Sequence, residues 1–129
     1  MTDKPYRLYV MQSRAMRDYA ECEAAIAHLP ATMTVIPSTD GEDDIIAKTR
    51  DADAIVTSGT PMSRAVMSAL EGLKVIVRTG VGYDVIDVAA ATELGVIVVN
   101  IPDLWVREVA NHAVALMLAW NRKIITSDR

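Results

Sequence analysis

Two short stretches of this 129-residue chain have residue types suited to holding a small anion. One runs Arg78, Thr79, Gly80, Val81, Gly82, Tyr83, Asp84. Its guanidinium can grip a carboxylate in bidentate fashion, and its two glycines let backbone N–H groups approach an anion closely. The other is Ser58, Gly59, Thr60, two hydroxyls around a glycine. Each follows an apolar run, which places it beyond the carboxyl end of a strand, where ligands bind in an open parallel sheet. On the residues alone, the glycine pair also reads as a tight loop with positive backbone torsions and Arg78 as a solvated strand-end charge. Gly80-Val81-Gly82 is not a dinucleotide fingerprint: the third glycine position is Val85, and the next helix cap is delayed to Asp87.

Other polar residues carry less chemistry. His28 sits near the end of the first helix, where a cation favours the helix dipole, and His112 lies within a long apolar helix; both read as structural. Asp87 is placed to cap a helix and Asp84 to accept in a turn. Asp43, Asp44, Asp51 and Asp53 lack metal-ligand spacing and read as a solvated face. Cys22, the one cysteine, excludes an internal disulfide or a cysteine-built zinc site and reads as a buried small apolar residue. The methionines read as core filler. No catalytic residue and no metal site is assigned.

These loops need elements to hold them, and the chain alternates short apolar runs with stretches of helical period, the pattern of a parallel sheet with crossover helices. Strands are expected at Arg7–Met11, Thr34–Ile36, Ala54–Thr57, Val75–Arg78 and Val96–Val99. Between them, Ser13 caps a helix whose stripe Met16, Tyr19, Cys22, Ile26 and Leu29 is buried and which Pro30 ends. A second helix covers Glu42–Thr49 with acids in its first turn, a third Ser63–Leu70 with Gly72 as its stop, and a fourth runs from Asp87 to Leu94, closed by Gly95. The fold class is therefore α/β, a flavodoxin-like doubly wound parallel sheet of about five strands. After the turn at Ile101, Pro102 and Asp103, residues 104–125 read as one long helix that is apolar on nearly every side. Such a helix must be buried all round, which implies a missing partner.

Composition narrows the class. Half of the residues are apolar and 23% are charged, so a globular fold follows. Thirteen basic against seventeen acidic residues with no basic cluster argue against nucleic acid as a partner. Met1–Arg7 lacks the apolar run of a signal peptide, and no segment has the length of a membrane span, so a cytoplasmic protein with no membrane partner is expected.

The block LKVIVRTGVGYDVID at Leu73–Asp87, its continuation ATELGVIVVNIP, and the later VANHAVALMLAWNRKI resemble the D-isomer-specific 2-hydroxyacid dehydrogenases, whose members include phosphoglycerate, glycerate and D-lactate dehydrogenases and the C-terminal binding proteins of transcription. The resemblance runs from about Ala52 to Ile125 and is weak before Ala52. It implies two facing domains, the first binding substrate and the second the dinucleotide. Residues 1–101 match the first domain, and 102–129 the hinge and first long helix of the second. It further implies NAD or NADP as cofactor, a small 2-hydroxy or 2-keto acid as substrate, and a homodimer through the 104–125 helix. Arg78 matches a basic residue near the substrate's acid group, and Gly80, Val81 and Gly82 match the loop facing the substrate carboxylate and the nicotinamide. Val109 matches a cofactor-touching position, and Ser58, Gly59 and Thr60 match the other wall of the cleft. The family's later substrate arginine, its later histidine paired with an acid, and its glycine fingerprint have no counterpart within these 129 residues, and Asn111 stands where many relatives carry an acid.

The expected function is the amino-terminal part of an NAD(P)-dependent oxidoreductase, inactive by itself. A stand-alone small-acid-binding module that dimerises through the long helix is the alternative, and a regulatory protein like the transcriptional relatives is the third reading.

Overall fold

The structure, a computed structural model, describes residues 4–13 and 18–127. Five strands, β1 (Tyr6–Met11), β2 (Ala31–Ile36), β3 (Ala54–Thr57), β4 (Val75–Arg78) and β5 (Ile97–Val99), pair in parallel in the order β2-β1-β3-β4-β5. This is the flavodoxin-like order, with its switch point between β1 and β3. The helices are α1 (Ala20–Ile26), α2 (Glu42–Thr49), α3 (Arg64–Ala69), α4 (Val88–Leu94), α5 (Val106–Asn121) and α6 (Ile124–Ser127). β3 and β4 occupy the expected residues, β1 begins one residue earlier, β2 three residues earlier, and β5 one residue later.

One face of the sheet is well covered. Ile55 and Ile76, both fully buried, pack with Met11 under Ile45 of α2, Val66 and Met67 of α3, and Ala90 and Ala91 of α4. Each such isoleucine contributes about 1.5–3 kcal/mol by leaving water. Two of the local signals, Asp87 and Gly95, are those read in the sequence, and a cap at Ser63 joins them. Ser63 Oγ accepts from Val66 N at 3.3 Å, Asp87 Oδ1 accepts from Ala90 N at 2.9 Å, and Gly95 closes α4 in the left-handed region at φ 72°. The third helix, expected over Ser63–Leu70, spans Arg64–Ala69 with Leu70 as its C-cap, and Gly72 lies in the turn that the Leu73 N–H closes on the Leu70 carbonyl.

The opposite face is different. Registered partners share a face, so Leu8, Ala54, Val75 and Ile97 form one apolar rung and Val10, Val56, Val77 and Val99 a second. Met33 and Val35 extend the two rungs onto β2. Right-handed crossovers put α1 on this side and α2–α4 on the other, since β2 lies on one flank of β1 and β3–β5 on the other.

The first helix overturns the expectation of a buried stripe. It spans seven residues, none buried, with Cys22 and Ile26 half-buried and Leu29 49% exposed; Met16 lies outside the described residues. Residues 14–17, which would follow a cap at Ser13, lie outside the described residues; the Ser13 N–H donates to Tyr19 Oη, Tyr19 is the N-cap position of α1, and Asp18 Oδ1 accepts from Ala20 N. A helical stripe is buried only where something packs on it, and α1 has little over it. The core-filler reading of methionine holds for Met11, Met62 and Met67 but not for Met117, which is 64% exposed on α5.

The long helix is also interrupted. α5 ends at Asn121, Lys123 adopts φ 54°, and α6 follows as a single turn. Here the Arg122 and Lys123 N–H groups donate back to the Leu118 and Trp120 carbonyls, a closure of the kind a left-handed residue permits. No residue of α5 is buried. His112 is exposed there, beside Glu108 and Val109.

Near the amino ends of the strands, the acidic residues are paired rather than merely solvated. Asp51 receives an ion pair from Arg7 and a 2.8 Å hydrogen bond from Tyr9 Oη. Asp53 is paired with Lys74 and accepts from the Arg7 N–H at 3.0 Å. The Tyr9 hydrogen bond holds the Asp51 carboxyl below its usual range, and the Lys74 ammonium does the same for Asp53. The same bond to Asp51 pushes the Tyr9 hydroxyl upward.

Candidate functional site

The two stretches singled out in the sequence emerge side by side, because Thr57 and Arg78 are cross-strand partners at the carboxyl ends of β3 and β4. The β3 exit is locked by a threonine pair. Thr57 Oγ1 accepts from Thr60 N at 3.0 Å and lies 3.2 Å from the Thr60 carbonyl, to which it donates. Both threonines are buried, and Thr60 Oγ1 has no hydrogen-bond partner among the described residues. The Ser58 and Thr79 hydroxyls meet at 2.9 Å and join the two loops.

Ser58, Gly59 and Thr60 form one wall of a cleft of about 380 Å³, with Met11, Gln12 and Ser13 at the end of β1 and Ser38, Thr39 and Asp40 after β2 as the rest. The cleft sits at the β1/β3 switch point, where an open parallel sheet binds ligands. Arg78 and the glycine loop do not line it. They stand next to it, on the β4 side.

Arg78 is half-buried, makes no ion pair among the described residues, and has a buried Nε without a partner. Its guanidinium folds over Gly80, so that a Cβ there would lie 2.5 Å from Nη1. At Gly82 a Cβ would lie 2.8 Å from Asp84 Oδ1. Neither glycine has a positive φ, contrary to the torsional reading, and Gly95 is the one described glycine that does. A side chain at either position would push aside the neighbouring polar group, the Arg78 guanidinium or the Asp84 carboxylate, each the end of a flexible side chain.

The loop's backbone is partly committed. The Gly80 N–H donates to the Arg78 carbonyl at 2.9 Å, leaving the Val81 and Gly82 N–H groups without a partner among the described residues. The Gly80 carbonyl accepts from Ile101 N at 3.0 Å and the Val81 carbonyl from Asn100 Nδ2 at 2.8 Å, which ties the loop to the exit of β5. A guanidinium and two free amides at one strand end suit a carboxylate. Val81 is 45% exposed, and Val109 on α5 is 66% exposed.

Known proteins resemble the chain in sequence and in fold. Residues 13–126 match the family model described as D-isomer specific 2-hydroxyacid dehydrogenase, catalytic domain. The chain belongs to that family. Over 84 residues it is 50% identical to a D-3-phosphoglycerate dehydrogenase of Methanocaldococcus jannaschii, an alignment that covers 64% of this chain and 16% of that protein. Its fold matches a 2-hydroxyacid dehydrogenase from Ketogulonicigenium vulgare Y25 with a TM-score of 0.73 and 34% identity, covering 98% of this chain and 39% of the other. A glyoxylate reductase from Paecilomyes thermophila matches with a TM-score of 0.74 and 29% identity over 92% of this chain and 38% of its own. The chain thus spans less than two fifths of the length of these solved relatives.

Thr57, Asn100 and the β1 and β2 loops were not singled out in the sequence. Their one available signal was position, a polar residue at or just beyond the end of a parallel strand.

Proposed function

We propose that the chain supplies the substrate side of an NAD(P)-dependent oxidoreductase that interconverts a small D-2-hydroxy acid and its 2-keto acid. The observation that carries this reading is the unpaired Arg78 guanidinium over Gly80, beside the free Val81 and Gly82 amides. Arg78 takes the substrate carboxylate, the two amides orient it, and the Ser58–Thr60 wall bounds the space beside it. Residues 1–101 form the substrate-binding domain, and 102–129 the hinge and first helix of a nucleotide-binding domain.

Gly80-Val81-Gly82 is not assigned to a pyrophosphate, because it lacks the third glycine and does not open a helix. Val81 and Val109 are the two positions offered to the nicotinamide end, and no hydride or proton step is assigned to residues present here. The cytoplasm and a homodimer through residues 104–125 complete the proposal. The test is NADH oxidation with glyoxylate and hydroxypyruvate. The 129 residues alone are expected to give no turnover, and a robust rate would overturn the division of labour. The bare α5 also favours a second reading, a small-acid-binding module that dimerises, which equilibrium sedimentation checks by looking for a stable dimer.

A further inference from the structure

The cleft beside the Arg78 loop has a chemistry of its own. Thr57 and Arg78 are cross-strand partners, so the Ser58–Thr60 wall leaves a strand only one spacing, about 4.8 Å, from that of the guanidinium. The 2.9 Å contact of the Ser58 and Thr79 hydroxyls joins the two spaces. At about 380 Å³ the cleft has the size of a small-molecule site.

Its polar groups are uncharged with one exception. Gln12, Ser38, Thr39, Ser58 and Thr60 offer amide and hydroxyl groups and Asp40 a carboxylate, and no lysine or arginine is among the described residues that line it. Part of this capacity is committed: Ser38 Oγ donates to the Gln12 carbonyl at 2.8 Å, and Thr39 Oγ1 accepts from Gly41 N at 3.3 Å. The rest is open. The Gln12 side-chain amide and the Asp40 carboxylate, both on exposed residues, have no partner among the described residues. Thr60 is only 2% exposed, and its Oγ1, able both to donate and to accept, has none either. Buried polar groups are ordinarily hydrogen-bonded, so an open hydroxyl in the wall of a cleft points to a polar ligand.

We infer that this cleft takes the tail of the acid whose carboxylate Arg78 holds, and that the tail is an uncharged chain of hydroxyls. The substrate class is then an unphosphorylated polyhydroxy acid. This rests on the proposed role of Arg78 and specifies what the acid carries beyond its 2-position. Hydroxyls suit the lining because each can donate to Asp40 or accept from the Gln12 amide, with Thr60 Oγ1 serving in either sense. A phosphorylated tail does not suit it. Phosphate is held by guanidinium, ammonium or the open amino end of a helix. The helix that follows Asp40, α2, has Glu42, Asp43 and Asp44 in its first turn, so carboxylates already answer its dipole. A phosphate placed there would meet these carboxylates and Asp40 together.

The test is an amide chemical-shift titration of the full 15N-labelled chain with D-lactate, D-gluconate and 3-phospho-D-glycerate. D-lactate carries the carboxylate and 2-hydroxyl without a hydroxylated tail, so it reports the Arg78 site alone. D-gluconate is expected to bind about tenfold tighter than either of the others, the net worth of one or two good hydrogen bonds. It should also shift the Gln12 and Asp40 amides, which D-lactate leaves in place. Gln12→Ala and Asp40→Ala, at exposed positions, are expected to keep the fold and to bring D-gluconate down to the affinity of D-lactate. Equal affinity for D-lactate and D-gluconate, 3-phospho-D-glycerate as tight as D-gluconate or tighter, or D-gluconate binding undiminished in both variants would overturn the polyol subsite and leave the Arg78 site standing. No shift at Val81 and Gly82 with any of the three acids would overturn both.

Discussion

The two ends of the same sheet are built from similar residue types and put to opposite use. Near the amino ends, Arg7, Tyr9, Asp51, Asp53 and Lys74 satisfy one another, and the carboxyls are held low by their partners. At the carboxyl ends, among the described residues, Arg78 has no ion pair, Thr60 Oγ1 has no hydrogen-bond partner, and the Val81 and Gly82 amides are free. Charge that is neutralised inside the chain stabilises it, whereas charge and hydrogen-bonding capacity left open are available to a ligand. An unsatisfied buried polar group costs about 1–3 kcal/mol, a cost that a bound acid can remove.

The comparison can be broken most forcefully through the core that holds both ends in register. Ile55→Ala, at a fully buried position, is expected to cost about 2–5 kcal/mol in denaturant unfolding and to impair both ends together. A smaller value would mean that α2–α4 do not clamp the sheet as described. Asp87→Ala removes the α4 cap, and about 1 kcal/mol is expected to go with it.

The amino end is sharpened by acid. The folded-state carboxyls of Asp51 and Asp53 are depressed, so their contribution is present above the unfolded value near 3.9 and lost as pH falls through the lower folded values. Melting temperature should therefore change little from pH 7 to about 5 and drop below about 4. Asp53→Asn should lower stability at pH 7 and flatten that drop, and an unaltered acid limb would show that the Lys74 pair contributes nothing. At the carboxyl end the smallest stability effect is expected: Arg78→Gln should stay within about 0.5 kcal/mol of the unsubstituted chain, because no partner is lost. Gly80→Val should likewise fold, yet displace the guanidinium that its Cβ would meet.

Much of the fold was legible in the sequence wherever a local signal had a local cause. Asp87 and Gly95 act at their own helix ends, and the β-branched runs at 54–57 and 75–78 are strands at those very positions. The α1 stripe failed because periodicity states which residues share a side, not whether anything covers that side. The same gap explains α5, whose apolar surface is plain in the sequence while its partner is not. At the site, Arg78 and the two glycines were visible as residue types. What crowds the glycines was not, since it depends on where the Arg78 guanidinium and the Asp84 carboxylate fold back. The cleft walls from β1 and β2 were hidden because strand order, not sequence order, brings them beside Ser58.

The most direct measurement is an amide chemical-shift titration of the 15N-labelled chain with glyoxylate. The account predicts shifts concentrated at Val81 and Gly82 with smaller ones at Ser58–Thr60, and their loss in Arg78→Gln with the rest of the spectrum unchanged. Shifts located elsewhere, or undiminished by the substitution, would contradict it.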